Sequence, residues 1–290
     1  FFEEWIEQDV TDMVQVNERL LVSSDNTVRV YNMDVRTFDV NSMTSFRGTY
    51  PTCSLRGFAG ISAQNNMYIY SDDKSAYVYD YVVDELILTR YFEDVEADAF
   101  CMGEKPVFIN YEKSVLYSPR SGGFNESGER FIAFDVHAVC FVGSKLYMVN
   151  TMKTMPTQVY LALTNATFSS LSTVKFYPSP EAIKIDRESI CVGCSALSCI
   201  FYTYDNAVYC WNVTKELPTE PIVVLPDGME ITALSMSADE NLLYVGLYEE
   251  NSAYALKGSL YIYDAKDYNL VKTYPNIADK PLRVIYKKRV

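Results

Sequence analysis

The chain has 290 residues, 49% of them hydrophobic, and a formal net charge of −13. The apolar content is ample for a packed core and excludes an intrinsically disordered protein. Binding to a nucleic-acid backbone requires a basic surface, so the acidic balance excludes that class of function and suits a basic protein partner instead. Strand-forming aromatic residues are abundant, with 24 Tyr and 15 Phe, and no long window shows helical periodicity. We therefore expect an all-β fold.

Cysteine usage and the absence of targeting segments indicate the compartment. The seven cysteines lack the spacing of a small disulfide scaffold, which predicts reduced, buried thiols in the cytoplasm or another reducing intracellular compartment. No signal peptide and no apolar run long enough to span a bilayer is present, so we expect no membrane span. Because the chain begins with Phe-Phe, we also expect it to be part of a longer protein or complex.

A short hairpin phrase recurs along the chain. It first appears at 23–32 as Ser-Ser-Asp-Asn-Thr-Val-Arg-Val-Tyr-Asn, where an Asp-Asn turn leads into a strand that ends in an aromatic residue and a small polar residue. Variants recur at Ser75–Asp80, Asn206–Asn212 and Gly258–Asp264, and weaker copies contain Tyr117 and Tyr160. The six marker aromatics have an average spacing of about 46 residues, at the long edge of the interval expected for four-stranded propeller blades.

Each repeat predicts four short strands separated by turn residues. The first three repeats predict Thr11–Val16, Arg19–Ser23, Thr27–Tyr31 and Met43–Phe46; Gly57–Ser62, Met67–Tyr70, Ala76–Tyr79 and Leu86–Tyr91; and Ala99–Met102, Val107–Asn110, Val115–Tyr117 and Phe131–Phe134. The fourth and sixth predict Ala138–Val142, Leu146–Asn150, Gln158–Leu163 and Thr173–Phe176; and Ile231–Ser235, Leu242–Gly246, Leu260–Tyr263 and Leu270–Tyr274. A Gly- and Ser-rich loop is expected at Ser121–Gly128.

The fifth repeat is the least regular. Ala182–Ile185 is the expected first strand, although the Cys-rich run Ile190–Tyr204 contains more strand than one position needs. Radial repetition favours a single β-propeller domain over residues 1–290, with six or seven four-stranded blades, and a β-sandwich is the alternative. We expect Pro281–Val290 to form a further inner strand and Phe1–Ile6 an outer strand that joins the two ends.

The repeated phrase resembles the closing part of a WD40 repeat. The similarity lies in Tyr31-Asn32, Tyr79-Asp80, Trp211-Asn212 and Tyr263-Asp264, and in the frame Ser235–Gly246. The Gly-His pair that opens a typical repeat is missing, since the one histidine, His137, follows Val136. Aromatic packing is therefore expected to brace the blades. The resemblance implies a WD40-like propeller, and members of that family are mostly platforms for other proteins and peptides, with few enzymes among them.

The sequence contains few candidates for catalytic or metal chemistry. Cys191-x-x-Cys194, with Cys199 and Cys210, has the only metal-like spacing, but it lacks the two knuckles of a structural zinc site, and buried thiols are the favoured interpretation. His137 is more typical of a structural residue than of a catalyst. No nucleophile elbow and no phosphate loop occurs. We therefore predict no catalytic, metal-binding or cofactor-binding residue and no cofactor.

Acidic residues are concentrated in the predicted loops of one face. In a propeller, the loops between successive blades and the loops between second and third strands share a face. The first set contains Glu93, Asp94, Glu96, Asp98, Asp135, Glu181, Asp227 and Glu230, and the second contains Asp25, Asp72, Asp73, Glu112, Asp205, Glu249 and Glu250. We predict that a partner binds at Asp72, Asp73, Glu93, Asp94, Glu96, Asp227, Glu230, Glu249 and Glu250.

The prediction from sequence is a non-enzymatic interaction scaffold within a larger assembly. Its partners would be proteins or peptides, including Lys- or Arg-rich segments, because converging carboxylates attract cations. The alternatives are a propeller-type hydrolase with carboxylates lining the channel and a purely architectural subunit. A solvated acidic rim that only maintains solubility is the competing interpretation of the charge pattern.

Overall fold

The structure is a computed structural model. It describes residues 10–16, 19–24, 27–32, 39–43, 45–47, 55–61, 66–71, 76–82, 85–92, 98–102, 106–113, 115–119, 127–131, 134–152, 155–165, 171–177 and 184–285. The regular elements in these ranges are strands, which confirms the all-β prediction. The described part of the chain holds no helix with the length and apolar character needed to cross a membrane. Residue contacts divide the chain at Ile132 and Ala133 into two compact units.

The described residues of the first unit form three sheets. The first sheet pairs, in order, β1 (Val10–Val16), β2 (Arg19–Ser24), β3 (Thr27–Asn32) and β4 (Asp39–Met43); the second is built from β5 (Ser45–Arg47), β6 (Leu55–Ile61), β7 (Asn66–Ser71), β8 (Ala76–Val82) and β9 (Glu85–Phe92); the third pairs β10 (Ala99–Met102), β11 (Pro106–Asn110), β12 (Val115–Pro119) and β13 (Ser127–Phe131). The first long strands of neighbouring sheets are in contact, β1 with β6 and β6 with β10.

The second unit repeats this plan with three four-stranded antiparallel sheets. The fourth sheet contains β14 (Phe134–Val142), β15 (Lys145–Met152), β16 (Met155–Asn165) and β17 (Leu171–Tyr177); the fifth contains β18 (Cys191–Cys194), β19 (Cys199–Tyr204), β20 (Ala207–Asn212) and β21 (Val223–Val224); the sixth contains β22 (Met229–Met236), β23 (Leu242–Glu249), β24 (Gly258–Asp264) and β25 (Leu270–Ala278). First strands again meet, β14 with β18 and β18 with β22. Sheets that adjoin through their first strands are arranged like propeller blades.

The fifth sheet is buried on both faces, and its strands alternate between two cores. Ile200 and Tyr202 pack towards the fourth sheet, whereas Cys199 and Phe201 pack towards the sixth. The alternation follows from the two-residue period of a strand. Trp211, on β20, is 1% exposed and is among the largest fully buried side chains. These aromatics fill the space between the sheets, as the sequence predicted for repeats without the Gly-His pair.

The marker aromatics locate the repeats. Tyr31, Tyr79, Tyr117, Tyr160, Trp211 and Tyr263 lie on β3, β8, β12, β16, β20 and β24. Each of these strands is the third of four consecutive antiparallel strands in its sheet. The repeat interval inferred from the sequence is therefore the interval between successive sheets.

Two predicted outer strands were wrong, whereas Leu86–Tyr91, Thr173–Phe176 and Leu270–Tyr274 lie within β9, β17 and β25. Met43–Phe46 was expected to be the fourth strand of the first repeat, but β4 begins at Asp39 and ends at Met43. The next residues form β5, which pairs in parallel with β9 of the second sheet. Phe131–Phe134 is likewise not one strand, because β13 ends at Phe131 and β14 begins at Phe134. The expected loop at Ser121–Gly128 ends in β13, and its residues 121–126 lie outside the described ranges.

The fifth repeat and the seam also differ from the predictions. Lys184 and Ile185 are not in a strand, and the first strand of the fifth sheet is β18. Ile185 is 5% exposed and joins the core as a loop residue, which explains the misleading apolar pattern. Residues 281–285 are not in a strand either, whereas residues 286–290 and the predicted strand Phe1–Ile6 lie outside the described residues.

Candidate functional site

An acidic cleft opens in the second unit. Its volume is about 430 Å³. The walls come from the loop before β18, the turn between β19 and β20, the start of β22 and the segment after β25. The lining residues are Asp186, Glu188, Ser189, Ile190, Thr203, Tyr204, Asp205, Glu230, Ile231, Thr232, Lys280 and Leu282. The cleft therefore combines carboxylates with apolar wall.

Asp186 folds the loop that forms the first wall. Its Oδ1 accepts hydrogen bonds from the backbone N–H groups of Glu188 and Ser189, each at 3.0 Å. The Ser189 hydroxyl donates to the same oxygen at 3.2 Å. The loop is then joined to β19, because the N–H of Ile190 donates to the Thr203 hydroxyl at 2.9 Å. Asp186 is thus occupied in turn formation, and Glu188 projects from the turn as an exposed residue.

The β19–β20 turn forms the second wall. Asp205 is exposed and has a φ of 49°, in the left-handed region that Asp and Asn tolerate better than most residues. Asn206 fixes the turn, since its Nδ2 donates to the carbonyls of Leu225 at 3.0 Å and Pro226 at 2.9 Å. These bonds connect the turn to the chain that leads into β22, so Asp205 is presented from an anchored loop.

Among the residues that the structure describes, one cation lines the cleft. Lys280 Nζ lies 2.9 Å from Glu230 Oε2 and 5.0 Å from the centre of the Tyr248 ring. Within the described ranges, Glu188 and Asp205 form no ion pair. Four carboxylates and one ammonium give the lining a negative balance, and the two exposed carboxylates remain available to a cationic ligand.

The structure places four of the nine predicted partner-binding residues. Glu230 lines the cleft. Glu249 lies at the same end of the sixth sheet, because Met229 is opposite Glu249 and Glu230 is opposite Tyr248. Asp227 and Glu250 are exposed in the adjoining loops. The remaining five, Asp72, Asp73, Glu93, Asp94 and Glu96, lie outside the described residues.

The prediction from sequence did not include every residue of this site. Asp186 and Glu188 were overlooked because the predicted strand Ala182–Ile185 placed the loop between the fourth and fifth repeats too early in the chain. The polar run from Asp186 to Ser189, directly before an apolar strand, is the signal that could have identified them. Lys257 was also overlooked. Its ammonium donates to the Glu250 carbonyl, which moderates the charge of that loop.

The cysteine spacing does not produce a metal site. Cys191 and Cys194 lie on opposite faces of β18, since Cys191 packs towards the fourth sheet and Cys194 towards the sixth. Within the described part of the chain, no group of three His, Cys, Asp or Glu residues is placed to hold a metal ion. His137, on β14, is half-buried.

The sequence comparisons find no match, whereas structural comparison finds proteins of similar fold. No family model matches the chain, and no curated protein matches it. Sqt1 of Saccharomyces cerevisiae, a WD40 protein, superposes with a TM-score of 0.60 and 11% identity over 97% of this chain and 78% of its own. A quinoprotein alcohol dehydrogenase-like protein of Bacteroides thetaiotaomicron has a TM-score of 0.61 and 14% identity over 92% of this chain and 66% of its own.

Both comparisons support a β-propeller-like fold. At these identities the likeness concerns the fold alone. In all, 1076 chains of solved structures match, and propellers carry unrelated functions, so a function has to be argued from the site.

Proposed function

We propose that this chain is a non-enzymatic protein-interaction scaffold that binds a Lys- or Arg-rich segment of a partner protein in the acidic cleft. The scaffold would be a single WD40-like β-propeller of six or seven blades over residues 1–290, acting within a larger assembly in a reducing intracellular compartment. The observation that carries the proposal is the cleft itself, in which the exposed carboxylates of Glu188 and Asp205 lie beside apolar wall.

The lining matches the two parts of a long basic side chain. Lys and Arg place their apolar stems along hydrophobic surface and keep the charged group near polar partners. Ile190, Ile231 and Leu282 supply apolar surface, and the carboxylates supply acceptors for the charged group. Because hydrogen bonds anchor the loops, little ordering entropy is lost when a segment binds.

The neighbouring loops extend the acidic surface beyond the cleft. Asp227, Glu249 and Glu250 lie at the same end of the sixth sheet. A field of one sign raises the association rate of an oppositely charged partner, and added salt weakens it.

The test is binding of a fluorescent peptide of alternating Lys, Arg, Gly and Ser to the full chain, measured by fluorescence anisotropy. A peptide in which Glu and Asp replace the basic residues is the control ligand. The cleft variant combines Glu188→Gln with Asp205→Asn, which keeps a residue suited to the left-handed turn. The control variant combines Glu216→Gln with Asp267→Asn, which makes the same charge change at the opposite ends of the strands.

We expect the basic peptide to bind and the acidic peptide not to bind. The cleft variant should lose about tenfold in affinity, because two partly screened charge contacts contribute about 1 kcal/mol or less each. The control variant should stay within about twofold. Equal losses in both variants would show a general charge effect, and absence of binding to the basic peptide would refute the proposal.

A further inference from the structure

One lysine of the chain itself occupies part of the acidic cleft. Lys280 Nζ donates to both carboxylate oxygens of Glu230, at 3.0 and 2.9 Å. The same ammonium lies over the Tyr248 ring, 5.0 Å from its centre. Glu230 and Tyr248 are directly opposite each other on β22 and β23. The two side chains therefore hold one ammonium group by two kinds of contact, a charged hydrogen bond and a cation–π interaction.

The segment that carries this lysine is held against the sixth sheet. It follows β25, comprises residues 279–283, and is called the strap. The Thr232 hydroxyl, on β22, donates to the Pro281 carbonyl. A Cβ on Gly246 of β23 would lie 3.3 Å from the Pro281 ring, and a Cβ on Gly258 of β24 would lie 2.5 Å from it. The strap backbone is therefore fixed on three strands, in space that two glycines leave open.

The Lys280 side chain is much less restrained than the strap backbone. It is 42% exposed, and the side chain of Glu230 is 57% exposed. An ion pair this exposed is screened by water and contributes little to stability. The ammonium can therefore leave Glu230 while Pro281 stays in place, and its departure opens both the carboxylate and the ring of Tyr248 to another cation.

We propose that Glu230 and Tyr248 are an ammonium subsite of the cleft, which Lys280 occupies in the free chain and from which a lysine of the bound segment displaces it. This inference rests on the proposed function, because it identifies the group that competes with the basic partner. The displaced Lys280 side chain turns into solvent, and the partner lysine makes the same two contacts. Lys280 therefore weakens binding, whereas Glu188 and Asp205 have no ion pair to break among the described residues.

The first test compares Lys280→Met with Lys257→Met in binding of the fluorescent Lys/Arg peptide to the full chain, measured by anisotropy. Both variants remove one positive charge at the same end of the sixth sheet, but Lys257 donates to the Glu250 carbonyl rather than to Glu230. Lys280→Met should bind the peptide about three- to tenfold more tightly, because the ligand no longer has to replace an ion pair and a cation–π contact. Lys257→Met should stay within about twofold of the wild type.

A double-mutant cycle shows whether the exchange takes place at Glu230. In the wild type, Glu230→Gln should weaken peptide binding by less than about twofold, because the free chain and the complex each lose one ammonium contact. In the Lys280→Met background, the same substitution should weaken binding by about fivefold, because only the complex loses a contact. An equal effect of Glu230→Gln in the two backgrounds would overturn the proposal.

Occupation of the subsite by Lys280 is tested without any peptide. The full chain is treated with limiting acetic anhydride, and acetylation of each lysine is mapped by mass spectrometry. The rate at Lys280, normalised to that at the exposed Lys266, should rise at least about twofold when Glu230→Gln is combined with Tyr248→Leu, because the amine is no longer held in an exposed ion pair. An unchanged rate would show that the subsite does not hold Lys280.

The outcomes separate this inference from the proposed function. If the wild type binds the peptide and Lys280→Met gains no more than Lys257→Met, the subsite is wrong and the cleft remains the docking site. If neither the wild type nor Lys280→Met binds the peptide, the proposed function fails and displacement of Lys280 fails with it. An acetylation rate at Lys280 that does not depend on Glu230 and Tyr248 overturns the inference in either case.

Discussion

The repeats are marked by an aromatic residue followed by a small polar residue. The side chains of these two residues have separate structural roles. Trp211 and Tyr263 are 1% and 8% exposed, and the residue after each accepts hydrogen bonds from the following turn. Asn212 Oδ1 accepts from the N–H and hydroxyl of Thr214 at 3.0 and 2.6 Å. Asp264 Oδ1 accepts from two turn N–H groups, each at 2.9 Å. The motif fills the core with one residue and closes the turn with the next.

Substitution of Asn212 tests this role. Asn212→Ala removes the acceptor of two hydrogen bonds and should lower the free energy of unfolding by about 1–2 kcal/mol. Asn212→Asp keeps the Oδ1 acceptor and should cost less. Urea denaturation followed by tryptophan fluorescence and circular dichroism measures both. Equal destabilisation by the two variants would contradict a role for the acceptor.

The single histidine makes stability depend on pH in a predictable direction. Burial, and then the charge of Arg187, lowers the pKa of His137 below 6.5, although Asp135 and Asp186 act in the opposite direction. The folded state therefore binds this proton less readily than the unfolded state, so stability falls as pH drops below about 6.5. His137→Gln should reduce the difference in urea midpoint between about pH 7.5 and pH 5.5. A difference equal to that of the wild type would exclude His137 as its source.

At the scale of secondary structure elements, the contact between the first strands of the fourth and fifth sheets, β14 and β18, depends on Gly193. A Cβ at Gly193 of β18 would lie 1.8 Å from the carbonyl oxygen of Phe141 on β14. A backbone atom cannot move aside as a flexible side chain can. The fourth and fifth sheets can therefore approach as they do only when residue 193 lacks a side chain.

Gly193→Ala should destabilise the protein by about 3 kcal/mol or more, because the two strands would have to separate. Gly228→Ala is the control. Its φ of +89° disfavours a side chain, but no atom lies within 4 Å of the new Cβ, so it should cost only about 1 kcal/mol. Urea denaturation at neutral pH compares the two. A cost for Gly193→Ala no larger than the control would contradict the close approach of the strands.

The hairpins and the outer strands β9, β17 and β25 could be predicted from sequence, whereas the outer strands β4 and β13 could not. Strands such as β19 and β23 are buried and contain apolar residues bounded by turn residues. The misplaced outer strands β4 and β13 have the polar sequences Asp-Val-Asn-Ser-Met and Ser-Gly-Glu-Arg-Phe. Such strands are held by backbone pairing at the periphery and need few apolar side chains, so their composition gives little signal.

The acidic site was predictable only in part for a similar reason. The position of Glu230 could be predicted from the order of the repeated hairpins, and that of Asp205 from the turn before β20. The turn that presents Glu188 depends on the side chain of Asp186, and the position of Lys280 depends on a segment that forms no strand over residues 281–285. Irregular segments have no periodicity from which their course can be read.

At the scale of the whole molecule, repeated antiparallel sheets carry the loops that form the proposed binding cleft. The β-propeller-like fold is shared with proteins of very different sequence, so the fold constrains the core much more than the loops. The two exposed cleft carboxylates, Glu188 and Asp205, lie on a loop and a turn that hydrogen bonds hold in place, which is the arrangement expected of a preorganised binding surface. The net charge of −13 adds a long-range attraction for a basic partner.

The central claim, that the cleft is where a basic segment docks, is tested most directly by amide hydrogen exchange of the full chain with and without saturating Lys/Arg peptide. We predict slower exchange in residues 186–190 and 203–206, and unchanged exchange in the turns 195–198 and 265–269 at the opposite ends of the same sheets. Protection confined to those opposite turns, or equal exchange in the cleft with and without peptide, would contradict the account.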